Sequence, residues 1–493
     1  MPRRSHLLAV LLLLGAPVMA KANDMPEEWP DSIRVVLDNT APLKASRGRR
    51  LPLYLWPAAV EETLTDSRAE ALVRELQRRG IGLISRWDHS DMAASLARAL
   101  PVARAQKKLG EPISIDASRC LYSFFDGDRN TAHIDEAGTP FWDTSFGKPD
   151  MGCPFALHHR REPIRQRIDA FAEAYAKEGL SPGFVFADWE IDGPIPWNEA
   201  WSASKRCRRC RQQIPDIDNF LAFQKTLVDL RADLQRDVYA EPLRRRFPNV
   251  LVGNYGVYPG DGFRYWYDYF EREEPWYPGI RDQRALYRHW ADEFTRSGYT
   301  FAMPVVYTWS RMWRWYEYAN DDFRWFRPML LAATNAAQHT PASAPVIAFV
   351  HWHTTAPPDP PDPEVKQMSA RAYQELLWHM LLRGVDTFFL WCPAEESPQE
   401  IRLLHAVWAE AQRYGDFLDR GVPVSYDVPD KPGTVISGLL WNQRLLIRRT
   451  DFTGEAAPVT LRIHGAEITV HRADGCQELT LTGDRPSQPG ELR

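Results

Sequence analysis

The chain predicts an α/β fold: a (β/α)8 TIM-type barrel over residues 51–420, followed by a small antiparallel β-sandwich over residues 421–493. Two observations carry that expectation. Short apolar runs alternate eight times with longer amphipathic stretches, the pattern of parallel strands joined by crossover helices. After about residue 421 the helical stretches stop, and short β-rich runs follow one another between Asp, Gly, Asn and Pro.

The strand candidates, in chain order, are Leu51–Trp56, Ile81–Trp87, Ser118–Phe125, Phe184–Glu190, Val250–Tyr258, Thr300–Tyr307, Val346–His353 and Asp386–Cys392. Between them the 3.6-residue period predicts helices such as Ser67–Arg79, Pro163–Gly179, Leu221–Arg246, Ala285–Gly298, Phe323–Gln338, Ala370–Gly384 and Pro398–Phe417. Gly80, Gly179, Gly298 and Gly384 stand where C-caps belong, just before the next strand. Beyond residue 421, Val435–Leu440, Arg444–Arg449, Val459–Ile463 and Glu467–His471 read as sandwich strands. The proline-rich run 357–363 reads as a stiff loop after the seventh barrel strand. No repeat of solenoid period is present.

The N-terminus carries Arg3 and Arg4, an apolar core from Leu7 to Leu14, then Pro17 and small residues. Residues 1–22 therefore read as a secretory signal cleaved after Ala20 or Ala22, and residues 23–50 as an N-terminal segment. The apolar core is too short to span a bilayer. The expectation is a secreted or periplasmic protein that is not membrane-bound after cleavage. A net charge of -5 offers no basic footprint for nucleic acid, although a local basic cleft for an acidic glycan remains compatible with it.

Six cysteines are present, and Cys207-Arg208-Arg209-Cys210 is the one close pair. It suits a local disulfide or half of a zinc site. No second C-x-x-C supplies the other half, so the reading is a loop staple, with no metal and no cofactor.

Chemistry points to residues 183–193, where an apolar strand ends in Asp188-Trp189-Glu190. Side chains at i and i+2 of a strand face the same way, so both acids share one face at the barrel end where such folds carry their sites. Two acids buried side by side are costly unless their altered proton affinities are used. Glu190, nearer the mouth, suits a general acid, and repulsion from the deeper Asp188 would favour its protonated form. The bland alternative is a solvated strand end. Other strand ends offer groups for a sugar: Asn254, Tyr255 and Tyr258 on the fifth, Tyr307 and Trp309 on the sixth, His351 and His353 on the seventh, Trp391 on the eighth. His351, His353 and Asp188 could hold a metal, but hydrogen bonding to substrate hydroxyls suits the two histidines better. Two aromatic segments, 263–277 and 309–318, read as loop platforms for several sugar rings, with Arg264, Arg311 and Arg314 available to carboxylates or sulfates. Ordinary loop packing is the plain alternative.

These residues resemble, in order, motifs of the hyaluronidases, glycoside hydrolase family 56. The likeness covers Asp188-Trp189-Glu190 with Pro194 and Trp197-Asn198, then 254–259, 304–307, 351–353 and 384–391. It implies Glu190 as proton donor, Asp188 as the residue orienting a substrate acetamido group, Tyr255 and Tyr307 assisting it, and Trp391 as a pocket wall. It also implies hydrolysis of β-linked N-acetylhexosaminides without a metal. Residues up to 150, the C-terminal sandwich, the aromatic insertions and the Cys207/Cys210 pair depart from the family pattern. The expectation is a hydrolase acting on a poly- or oligosaccharide through an oxazolinium intermediate. Two rivals stand beside it: a two-carboxylate glycosidase recruiting Glu395 or Glu396, and a glycan-binding barrel without turnover.

Overall fold

In the computed structural model the described residues are 29–121, 125, 127–143, 150–189, 198–262, 288–289, 291–310, 313, 316, 318–355, 359–454 and 457–481. The signal-peptide reading of residues 1–22 lies outside them. Among the described residues, no helix is long and apolar enough to cross a membrane.

Nine strand pieces form the wall: β1 (Leu53–Leu55), β2 (Ile81–Gly82), β3 (Ile84–Arg86), β4 (Ser114–Asp116), β5 (Phe184–Ala187), β6 (Leu251–Asn254), β7 (Val305–Val306), β8 (Ile347–Val350) and β9 (Thr387–Leu390). All pair in parallel, in a five-stranded sheet ordered β7-β8-β9-β1-β2 and a four-stranded sheet ordered β3-β4-β5-β6. Neighbours follow chain order, as a barrel requires, yet the ladders make two sheets and no single closed ring. The departure has local causes. β2 and β3 are consecutive pieces of one run broken at Leu83, so that run serves both sheets. At the opposite seam, among the described residues, isolated backbone bonds cross, from Thr300 N to Val252 O (2.9 Å), Gly256 N to Met303 O (2.9 Å) and Met303 N to Val257 O (3.1 Å). Pro304 has no N–H to extend that ladder.

Alternation along the strands sorts side chains into two cores. Tyr54, Phe184, Phe186, Phe301, Phe349 and Phe389 fill the space between the sheets, with Tyr54 stacked on Phe184 at 4.3 Å and Phe186 against Phe389 at 4.4 Å. Their neighbours Leu53, Val185, Val252, Ala348 and Phe388 face outward to the helices. Gly253 lets these aromatics close up: a Cβ there would sit 2.7 Å from the Phe301 ring.

Most expected helices form, and the four capping glycines have positive φ between 66° and 95°. Three elements differ. The third strand is Ser114–Asp116, whereas Ser118–Leu121 is a helical turn, because Asp116 Oδ1 captures the Ser118 N–H at 2.9 Å. The segment Leu221–Arg246 is not one α-helix: Phe220–Gln235 passes through a π turn, Arg236–Ala240, into Glu241–Arg246. Pro242 lacks the N–H that an unbroken α-helix would use there. A helix at Met92–Leu109, with Pro101 inside it, was not among those expected.

The C-terminal part is antiparallel. Thr434–Trp441 and Arg444–Asp451 form a hairpin, flanked by Val422–Pro423 and by Gln477–Thr480, a strand missing from the expected set. Val459–Ile463 and Ala466–Val470 form a second pair, and Leu445, Ile447, Ile463 and Val470 make the core between the two sheets. A polar seam joins this part to the helices around the strand wall. Buried Arg383 donates to Ser437 Oγ (2.7 Å), Thr334 Oγ1 (3.2 Å) and the carbonyls of Asp427 (2.7 Å) and Ile436 (3.2 Å).

Candidate functional site

Phe184 and Phe186 belong to the interior, whereas Val185, Ala187 and Trp189 belong to the outer core. That phase puts Asp188, the first residue past β5, on the interior side, where it is half-buried between two buried neighbours. Its backbone is held from three directions. Asp188 N donates to Ser118 Oγ at 2.7 Å, and Trp189 N donates to Asn254 Oδ1 at 3.0 Å. The Trp189 carbonyl accepts from Asn254 Nδ2 at 3.3 Å and from buried Arg231 at 2.6 Å. A strand end tied in this way cannot fray, so the direction of the Asp188 side chain is set before any ligand arrives. Asn254, expected to touch substrate, is instead fully buried and committed to Trp189. Both ends of its amide hold the Trp189 backbone. Glu190 lies outside the described residues.

Across the interior the other strand ends converge. Tyr255 lies 5.0 Å from the Phe349 ring, Trp391 lies 5.9 Å from Tyr307 and 5.1 Å from His351, and Tyr307 lies 6.4 Å from His351. Tyr255, Tyr307, His351 and Trp391 therefore form one group at the same end of the wall as Asp188, with Trp56 at the end of β1. Tyr258 does not join it, being buried with the strand–helix core. Trp309 pairs with Thr355 in a short bridge beyond β7, and His353 packs on Trp352 at 4.5 Å.

Sequence reasoning missed what holds His351. Its Nδ1 is 2.8 Å from Glu400 Oε2, while Glu400 Oε1 accepts from Trp352 N at 2.6 Å and from the Tyr373 hydroxyl at 2.9 Å. Glu400 is wholly buried, and burial together with its charge pushes the Tyr373 hydroxyl well above the usual phenol range. The signal was there: Glu400 sits beside Ile401 and Leu404 on the apolar face of the helix Ser397–Ala411. On the other side of the imidazole, His351 Nε2 is 3.4 Å from Glu396 Oε2, and His353 Nδ1 is 3.9 Å from Glu396 Oε1. Glu395, its rival as a second carboxylate, is exposed.

His351, His353 and Asp188 do not converge as metal ligands. Among the described residues one cluster has ligand distances, and it lies elsewhere: His133, Cys153, Cys207 and Cys210. The expected Cys207–Cys210 staple is therefore replaced, since neither cysteine is in a disulfide and the partners absent from the local motif come from distant segments. Of the aromatic platforms, Trp313 is buried 5.0 Å from Trp325 beneath Arg324, Tyr316 is buried, and Tyr318 packs on Phe323. These three serve loop packing. The segment 263–277, with Arg264, and residues Arg311 and Arg314 lie outside the described residues.

No known protein family matches the chain, and no curated protein is detectably similar to it in sequence. Among solved structures, it is similar to α-L-fucosidase isoenzyme 2 from Paenibacillus thiaminolyticus, at TM-score 0.42 and 10% identity over 76% of this chain and 51% of that one. A GH36 α-galactosidase from Geobacillus stearothermophilus in complex with stachyose matches at TM-score 0.42 and 9% identity, over 91% and 57%. An α-amylase from Lactobacillus plantarum matches at TM-score 0.41 and 10% identity, over 90% and 98%. These neighbours are glycoside hydrolases. The chain spans about half the length of the fucosidase and galactosidase chains.

Proposed function

We propose that the chain is an exported glycoside hydrolase that cleaves an N-acetylhexosamine-containing polysaccharide, in the manner of a hyaluronidase, with net retention. The observation that carries the reading is Asp188, clamped at the end of β5 on the interior side, with Tyr255 on the adjoining strand and Tyr307 and Trp391 at other strand ends. In this reading the aromatic group packs a pyranose ring. Glu190 delivers a proton to the glycosidic oxygen as the C1–O bond breaks. The acetamido carbonyl oxygen of the same sugar attacks C1, giving an oxazolinium ion. Asp188 accepts a hydrogen bond from the amide N–H and offsets the developing positive charge. Water, giving its proton to Glu190, then opens the ring with the stereochemistry of the original bond.

Glu190→Gln should abolish turnover while leaving oligosaccharide binding intact, and a thiazoline analogue of the intermediate should compete with substrate. Full activity in that variant would remove the assignment. The position of Glu396 against His351 and His353 favours one alternative, a glycosidase with two protein carboxylates. Cleavage of substrates lacking a 2-acetamido group, lost in Glu396→Gln, would select it. Tight glycan binding without product from any glycan would select the non-hydrolytic reading.

A further inference from the structure

The geometry points to a structural zinc site built by His133, Cys153, Cys207 and Cys210. Zinc held by thiolates at about 2.3 Å in a tetrahedron sets its sulfurs about 3.8 Å apart. Here Cys153 Sγ lies 3.6 Å from Cys210 Sγ and 3.8 Å from Cys207 Sγ, and Cys210 Sγ lies 3.8 Å from His133 Nδ1. Disulfides do not account for the cluster. A disulfide needs about 2.05 Å between sulfurs, and pairing any two of three gathered thiols strands the third. Cys120, Cys392 and Cys476 stand outside the cluster. A single metal ion uses all four side chains.

The surroundings are those of a closed site. All four ligands are buried, His133 stacks on Phe141 at 5.2 Å, and Ile214, Phe220 and Phe155 supply an apolar shell. Backbone N–H groups of Phe155 and Cys210 face the sulfurs of Cys153 and Cys207. Arg206, Arg208, Arg209 and Arg211 flank the C-x-x-C pair, where three thiolates around a divalent ion leave one negative charge. The Cys153 N–H is anchored to the Thr131 carbonyl at 2.7 Å, and Gly152 permits the approach, since a Cβ there would lie 2.1 Å from that oxygen. With four protein ligands and no open position, the ion would be structural, not catalytic. It would tie the loop following β4, which supplies His133 and Cys153, to the helices that follow the Asp188-Trp189-Glu190 segment.

The test uses the full chain purified without chelators. Elemental analysis should find one zinc per chain, and a mercurial that captures thiols should release that zinc as three thiols react. Cobalt exchange should give the intense visible bands of a tetrahedral thiolate site. Cys153→Ser and Cys207→Ser should lower zinc to below about a tenth of an equivalent, whereas Cys120→Ser should retain it. The mercurial and cobalt measurements need no variant, so a misfolded mutant does not blunt the test. Less than about a tenth of an equivalent of any metal in the wild type would overturn the proposal. So would a peptide map showing a disulfide between any two of Cys153, Cys207 and Cys210.

Discussion

The mouth of the strand wall and the seam with the C-terminal sheets both bury polar side chains, and they dispose of them differently. At the seam Arg383, His379 and Glu375 are each answered by neighbours. Arg383 has four acceptors, His379 sits between Ser437 Oγ at 2.7 Å and Thr450 Oγ1 at 3.0 Å, and Glu375 grips Arg448 at 2.7 and 2.8 Å. At the mouth Glu400 is held in the same way and lies one layer back, while Asp188, Tyr255, Tyr307 and Trp391 gather at the strand ends. Burial of a polar side chain therefore does not locate chemistry by itself. What separates the two regions is where the groups sit: between packed elements at the seam, and at strand ends facing the interior at the mouth.

The largest effect expected is at the mouth. Asp188→Asn should reduce kcat by about 10²–10³-fold with little change in KM, since the lost charge acts on the transition state. Its thermal midpoint should stay near that of the wild type. At the seam the balance reverses. Arg383→Ala should cost about 3 kcal/mol in chemical denaturation, because it leaves several buried acceptors without a donor. The molecules that remain folded should turn over at the normal rate. A stable but inactive Arg383→Ala, or an unstable but active Asp188→Asn, would erase the distinction between the regions.

How much of this was readable beforehand follows from how local each feature is. Asp188 was legible because strand alternation is a period-2 property of neighbouring residues, and Phe184 and Phe186 fix its phase. The wall strands were legible as short apolar runs between amphipathic stretches, with one failure at Ser118, where a side-chain bond from Asp116 turned an apolar run into a helical turn. Asn254 was read for a sugar from its type, whereas only the pairing of β5 with β6 reveals that it faces the Trp189 backbone. Glu400 and the thiol cluster were hidden by distance. His133 and Cys210 are 77 residues apart, and Glu400 meets His351 across 49. No window along the chain contains either pair, and only the folded topology joins them.

Glu400 tests the contrast from inside the mouth, since it resembles a seam residue placed behind a candidate ligand. Glu400→Gln keeps the shape but removes the charge facing His351 and allows one face of the amide to donate where the carboxylate accepted. A loss of about 1.5–3 kcal/mol in stability is expected, the worth of a hydrogen bond to a charged group. Activity should fall about tenfold through reorientation of the imidazole, less than for Asp188→Asn, because Glu400 acts through His351 while in the proposed reaction Asp188 meets the substrate. A shift in the pH profile of kcat without a matching change in KM would mark the effect as positioning.

The smallest effect belongs to the seam and depends on pH. His379 is wholly buried, and burial first, then the charges of Arg383 and Arg448, holds its pKa well below the ordinary histidine value. Glu375 is the acid near it, bonded to Thr450 and Arg448. In the unfolded chain the same imidazole takes a proton below about pH 6.5. Above that pH both states hold it neutral, and it contributes no slope. Below it the unfolded state binds a proton that the folded state refuses, so stability falls as the solution is acidified, by up to about 1.4 kcal/mol per pH unit. Replacing His379 with Asn removes the titration, so the variant's stability should fall less steeply between pH 6.5 and 5 than the wild type's, whatever its value at pH 7. His405, also held low by burial, leaves a residual slope in both proteins, and the difference between them isolates His379. Parallel curves would mean that the imidazole already shares its proton across the seam, and that this region is less saturated than its hydrogen bonds indicate.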